Sequence, residues 1–203
     1  MYYTKEIIAV VDPMCSWCWG FAPVLEHLQK SLPQTTKLTV CMGGLRSNGD
    51  QAWTQEFRDF LQQSWQQVHQ QTGQEFNFDF LKRDHFDYNT EPACRAVLSV
   101  ATLDAGKTFS FLHQLQKSFY QEGRDITQDD TLAKIAEELE INKEEFLALF
   151  SSKSMQEKTL FDSYKARSMG ASSFPSLVFI DEQGHLYLLK GYRSFEEIKK
   201  HIL

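Results

Sequence analysis

The segment Lys5 to Asp12, KEIIAVVD, is a short, β-branched and almost continuously apolar run, the composition of a strand buried on both faces. Pro13 stops it. From Cys15 to Leu32 the apolar residues Phe21, Val24, Leu25 and Leu28 recur at helical spacing, and Pro33 closes that segment. A second strand follows in TKLTVCMGGL, residues 36–45, where Leu38, Val40 and Met42 alternate against Lys37, Thr39 and Cys41 before Gly43-Gly44 ends the run. Strand, helix and strand in this order predict a right-handed parallel crossover, so the N-terminal quarter belongs to a sheet with a helix on its face.

The pattern then changes. Helical spacing is predicted over Trp53 to Gln71, Glu91 to Ala105, Lys107 to Gln121, Asp129 to Leu139, Lys143 to Phe150 and Met155 to Met169. Asn89-Thr90, Thr127 with Asp129-Asp130, and Asn142 are good starts; Gly73, Gly106, Gly123 and Gly170 are good stops. Strand signals return in FPSLVFID (174–181) and HLYLLKG (185–191), joined by Glu182-Gln183-Gly184 as a hairpin. A helix capped by Ser194 runs to Leu203. The expected class is α/β, with residues 1–46 plus 168–203 forming one domain and 47–167 a large all-helical insertion.

Composition narrows the function. The 203 residues carry 21 basic and 27 acidic side chains, a formal charge of -6, and no Lys/Arg run longer than two, which argues against nucleic acid. The apolar run at 7–11 is too short for an export signal or a membrane span, so a cytoplasmic protein without membrane contact is expected. Four cysteines are too few for a disulfide-stapled scaffold, and a reducing compartment disfavours structural bridges.

Chemistry therefore explains the close pair in DPMCSWCWGF better than stapling. Cys15 falls at the start of the first helix, where free backbone N–H groups and the helix dipole favour a thiolate, and is expected to be the exposed nucleophile. Cys18, one turn further in, would resolve the mixed disulfide formed when Cys15 captures a substrate sulfur. Met14, Trp17 and Trp19 would supply apolar surface for the substrate. Asp12 is a candidate proton acceptor for Cys18, with an N-cap for the helix as its other reading. No metal is expected: Cys41 and Cys94 stand alone as small core residues, and no two of the six His lie within five residues of each other.

Cys15-Ser16-Trp17-Cys18 at a helix start, a long helical insertion, and Phe174-Pro175 opening a hairpin together resemble the DsbA family of thioredoxin-fold oxidoreductases, and more closely its FrnE-like cytoplasmic branch of predicted protein disulfide isomerases. The resemblance implies a thioredoxin-like fold whose helical insertion interrupts it. It further implies that Pro175 is a cis-proline facing the cysteine pair, and that the Phe174 backbone pairs with substrate as an added strand. YNTEPACRA, residues 88–96, is similar to the insertion of this branch, where an Asn-Thr pair caps a helix near the active site.

The expected activity is thiol-disulfide exchange, as oxidoreductase or isomerase, on protein or peptide thiols and disulfides, with a cellular thiol as reductant. No cofactor is required beyond the Cys15–Cys18 pair, with glutathione as a conceivable co-substrate. Two other classes stay open. A glutathione-dependent isomerase or transferase of the kappa or hydroxychromene-carboxylate type shares the architecture but usually carries serine where this chain has Cys15. A non-catalytic binding module would leave the cysteines idle.

Overall fold

The computed structural model describes residues 4–201. Four strands form one mixed sheet: β1 (Thr4–Val11), β2 (Lys37–Met42), β3 (Ser176–Asp181) and β4 (Leu186–Lys190), in the order β2-β1-β3-β4. β1 pairs parallel with β2 and antiparallel with β3, and β3 pairs antiparallel with β4. The ends of the chain thus meet in a single sheet, with Ala9 opposite both Val40 and Leu177.

β1 is covered on both sides, as its apolar run requires. Ile7, Ala9 and Val11 point into the large core shared with α1 (Ser16–Ser31), whereas Ile8 and Val10 join Cys41, Val178, Ala166 and Ala171 on the opposite face. Ala166 belongs to α7 (Lys153–Ser168), the helix packed across β2. The two-residue period of a strand distributes its side chains between these layers.

Between β2 and β3 run α2 (Gln55–Thr72), α3 (Glu91–Leu103), α4 (Thr108–Tyr120), α5 (Asp129–Glu138), α6 (Lys143–Phe150) and α7. α2 and α4 pack against α1, α3 packs on α4, and α5 and α6 pack on α3, so Trp19, Trp65, Phe80, Tyr88, Phe111 and Tyr120 lie in the same cluster as Ile7 and Leu177. α1 contains Pro23, which cannot donate to the carbonyl one turn earlier. Gln74 Nε2 takes that place, donating to the Trp19 carbonyl at 2.9 Å, and Trp19 Nε1 donates to the Glu75 carbonyl. The loop after α2 is thereby fastened to α1.

Several boundaries shift from their predicted places. The cap of α5 is Gln128 rather than Thr127, because Thr127 already donates through both its backbone N–H and its hydroxyl to Asp125 Oδ1. α3 ends at Leu103 with Asp104 as its C-cap, and Gly106 sits inside a short 3-10 turn instead of stopping a helix. α7 begins two residues early under a Ser152 cap. The last helix, α8 (Phe195–Lys199), starts with a reciprocal Ser194–Glu197 capping box. The part of the predicted helix at 202–203 lies outside the described residues. No helix among the described residues is long and apolar enough to cross a membrane.

Candidate functional site

Asp12, Pro13 and Met14 turn the chain from the C-terminal end of β1 into α1. Asp12 Oδ1 accepts from the Met14 N–H at 2.9 Å, and the Asp12 carbonyl accepts from the Cys15 N–H at 3.1 Å. The N-cap of α1 is Cys15 itself, in extended conformation and without a side-chain cap bond, so the expected alternative of Asp12 as N-cap is replaced by a tight turn centred on its carboxylate. Cys15 is buried at 7% exposure, a correction to its expected exposure, and Cys18 is buried at 2%. Cys15 is enclosed because the far end of the chain folds over it: its sulfur lies 3.6 Å from the Phe174 carbonyl oxygen. The Phe174–Pro175 peptide is cis.

Phe174 is half-buried, and Pro175 is buried at the head of β3, where its carbonyl accepts from the Gly191 N–H. The Phe174 ring lies on Gly43: a Cβ at position 43 would run into the ring carbons. Gly43 is read from the sequence only as the end of a strand; its role as the floor under Phe174 depends on a contact across 131 residues of chain. Trp17 is half-buried, 6.0 Å ring to ring from Tyr192, which follows the hairpin. Trp19 and Met14, expected at the substrate surface, are core residues. Trp19 stacks at 6.1 Å on Tyr120, and Met14 is wholly enclosed while its carbonyl accepts from the Tyr88 hydroxyl at 2.7 Å.

Beneath the pair lies a polar layer. Asp12 is fully buried; its Oδ2 accepts from the Leu45 N–H at 2.7 Å and from the Cys94 thiol at 3.4 Å. Burial raises its carboxyl above the ordinary value, with the hydrogen bonds from Leu45, Met14, Thr90 and Cys94 pulling the other way. Burial also pushes the Cys18 thiol well up, reinforced by the neighbouring Cys15 thiol and the Asp12 charge. Cys94 is pushed up by burial and then by Asp12. Cys41 is enclosed on the opposite sheet face, where burial pushes its thiol up to about 12. Both are small core residues, as expected, and Cys94 in addition gives its thiol proton to Asp12.

The segment 88–90 ties the helical block to this layer. Thr90 accepts from the Arg46 N–H through its hydroxyl and donates its own N–H to the Arg46 carbonyl, while Asn89 Oδ1 accepts from the Glu91 N–H at the start of α3. The Asn-Thr pair thus stands at a helix start beside Asp12. Tyr88 escaped the sequence reading because its one signal is membership of this segment. Tyr192 gave none beyond following a hairpin glycine.

The thioredoxin family model matches residues 9–200. A protein described as a "putative protein disulfide isomerase" from Nitrosomonas europaea is 35% identical and superposes with a TM-score of 0.90 over 97% of this chain and 95% of its own. The cytosolic disulfide reductase DsbM from Pseudomonas aeruginosa, 24% identical, has the same fold, with a TM-score of 0.78 over 91% and 89% of the two chains. The ClpXP adapter protein SpxH of Bacillus subtilis is 24% identical over 199 residues, 95% of this chain. The chain spans 66% of that relative's length and 61% of its Halalkalibacterium halodurans counterpart's. With the sheet order, the helix-start cysteine pair and the proline at the head of β3 in place, this chain belongs to the thioredoxin family and has the DsbA-like form, in which a helical block is inserted into the fold.

Proposed function

We propose that the protein is a thiol-disulfide oxidoreductase acting on protein or peptide substrates. The observation that carries this reading is the placement of Cys15 at the start of α1 with its sulfur 3.6 Å from the carbonyl of Phe174, the residue before Pro175. Cys15 attacks a substrate disulfide and becomes joined to one of its sulfurs, while the other leaves as a thiolate and takes a proton. Cys18, after giving its proton to Asp12, attacks the Cys15 sulfur. The Cys15–Cys18 bond forms, the bond to substrate breaks, and two electrons have passed from the pair to the substrate. A thiol raised by burial, as Cys18 is, needs such a base. The Phe174 N–H makes no hydrogen bond among the described residues, which suits pairing with an extended substrate; Trp17 and Tyr192 supply apolar contact beside it.

The reductive direction in the cytoplasm draws support from the DsbM likeness, and a structure of DsbM with GSH supports glutathione as the thiol that restores the reduced pair. Isomerase duty is the alternative direction of the same chemistry. A protein-binding role has one observation of its own: Leu160, Phe161 and Tyr164 of α7 are 54%, 66% and 59% exposed, on a chain similar to ClpXP adapters.

Mass spectrometry of alkylated protein across a glutathione redox titration tests the reading. A reversible Cys15–Cys18 disulfide is expected, with Cys18→Ser accumulating mixed disulfides on Cys15 and Cys15→Ser forming none. Thiols whose alkylation stays constant across the titration would leave the binding role as the surviving reading.

A further inference from the structure

The half of α2 nearest the cysteine pair carries groups that the exchange chemistry does not use. Ser64 Oγ lies 3.0 Å from the Oγ of Ser16, the residue directly after Cys15, and both serines are half-buried. Neither hydroxyl makes a second hydrogen bond among the described residues. Two protons serve one shared bond, so a donor stays free next to Cys15 whichever serine gives. The Phe174 carbonyl approaches the Cys15 sulfur from the head of β3.

The same contact sets how α2 stands to the site. α1 and α2 run side by side in the same direction: Ser16 meets Ser64, and one turn on, a Cβ at Gly20 would strike Val68. α1 begins at Ser16, whereas α2 begins at Gln55, about two and a half turns before Ser64. The first turns of α2 therefore extend past the start of α1, at the end where Cys15 sits. Phe60 is one turn before Ser64 on the same face of α2, and a helical side chain leans toward the N-terminus of its helix. Its ring is 55% exposed and stacks at 6.2 Å on the buried ring of Phe57. Every other exposed position of α2 is Gln, Glu, Asp or His, so Phe60 is the one apolar side chain this helix shows to solvent.

We propose that α2 forms a specificity subsite for the substrate chain: the Ser16–Ser64 pair donates its free proton to a substrate peptide carbonyl, and the Phe60 ring receives an apolar side chain two residues from the reacting substrate cysteine. The inference rests on the thiol-disulfide reading above. In an extended peptide, side chains two residues apart share a face and stand roughly 6.5–7 Å from each other. That is close to the spacing of about 5–6 Å between positions one turn apart on a helix. A peptide whose cysteine is joined to Cys15 beside Ser16 thus brings its next side chain of the same face to Phe60, one turn beyond Ser64. The inserted helices would then choose the substrate, while α1 and the sheet carry the chemistry.

Two blocked pentapeptides, Gly-Gly-Cys-Gly-Gly and Phe-Gly-Cys-Gly-Phe, each as its symmetric disulfide, test this. The reduced protein is mixed with each, and the rate constant of peptide reduction is read by quenched-flow mass spectrometry, relative to reduction of the same peptide by dithiothreitol. Wild type is expected to reduce the Phe peptide about tenfold faster than the Gly peptide, the effect of partly burying one apolar side chain. In Phe60→Gln, which matches the rest of that face, the ratio should fall to about one, whereas Phe60→Leu keeps most of it. Ser16→Ala combined with Ser64→Ala should slow both peptides about fivefold, the loss of one hydrogen bond, and leave the ratio in place. A wild type without the preference, or a Phe60→Gln variant that keeps it, overturns the subsite; a double serine variant as fast as wild type overturns the role of the hydroxyl pair. A wild type that reduces neither peptide nor glutathione disulfide would overturn the exchange reading itself.

Discussion

At the scale of single residues, Asp12 joins fold and chemistry. One carboxylate oxygen shapes the turn before Cys15, and the other holds Leu45 and Cys94. Because burial raises its pKa, the folded protein binds the Asp12 proton more tightly than the unfolded chain does. That contribution to stability is complete below the unfolded carboxyl's value of about 3.9 and is lost as pH rises through the folded value. In Asp12→Asn this slope is absent, so the stability lead of wild type, read from urea midpoints, is expected to shrink from about pH 4 upward. Resolution of mixed disulfides should slow about a hundredfold, the low end of what a positioned base contributes. A constant lead with unchanged resolution would remove Asp12 from both roles.

At the scale of elements, the site is a junction of three segments distant in sequence: the β1–α1 turn, the end of β2 at Gly43, and the head of β3 at Phe174. Gly43 matters here for lacking a side chain. Gly43→Ala places a methyl group where the Phe174 ring lies, and a ring has no rotamer that slips aside cheaply in a packed setting. Overpacking of this kind costs about 1–3 kcal/mol. We expect a lowered urea midpoint at unchanged m-value, with disulfide exchange slowed as well, because the Phe174 carbonyl that faces Cys15 moves with its ring. A variant as stable and as fast as wild type would show that the ring can shift independently of the site.

At the scale of the whole molecule, the helical block and the sheet share one hydrophobic cluster running from Ile7 through Trp19 and Tyr120 to Leu177. Trp17 and Trp19 report on α1, and Trp53 and Trp65 on the helical block, so fluorescence samples both parts. Unfolding in urea followed by fluorescence and by far-ultraviolet circular dichroism is expected to give coincident transitions. An earlier transition confined to one probe would mean that the inserted helices unfold apart from the sheet.

The sequence by itself determined the order of elements, because strand and helix periods and the Pro, Gly, Asn and Ser signals at their ends act within a few residues. It also placed the thiol pair: the distance from Pro13 to Phe21 leaves Cys15 little choice but the start of α1. Where local signals competed, it misled, as when Asp125 captured Thr127 and left Gln128 to cap α5. Only the tertiary structure decided that Cys15 is roofed by Phe174, that Trp19 and Met14 turn inward, and that Tyr88 and Cys94 gather with Asp12 beneath the pair. Those contacts join segments 74 to 159 residues apart, and the burial that sets their chemistry exists only once both partners have left water.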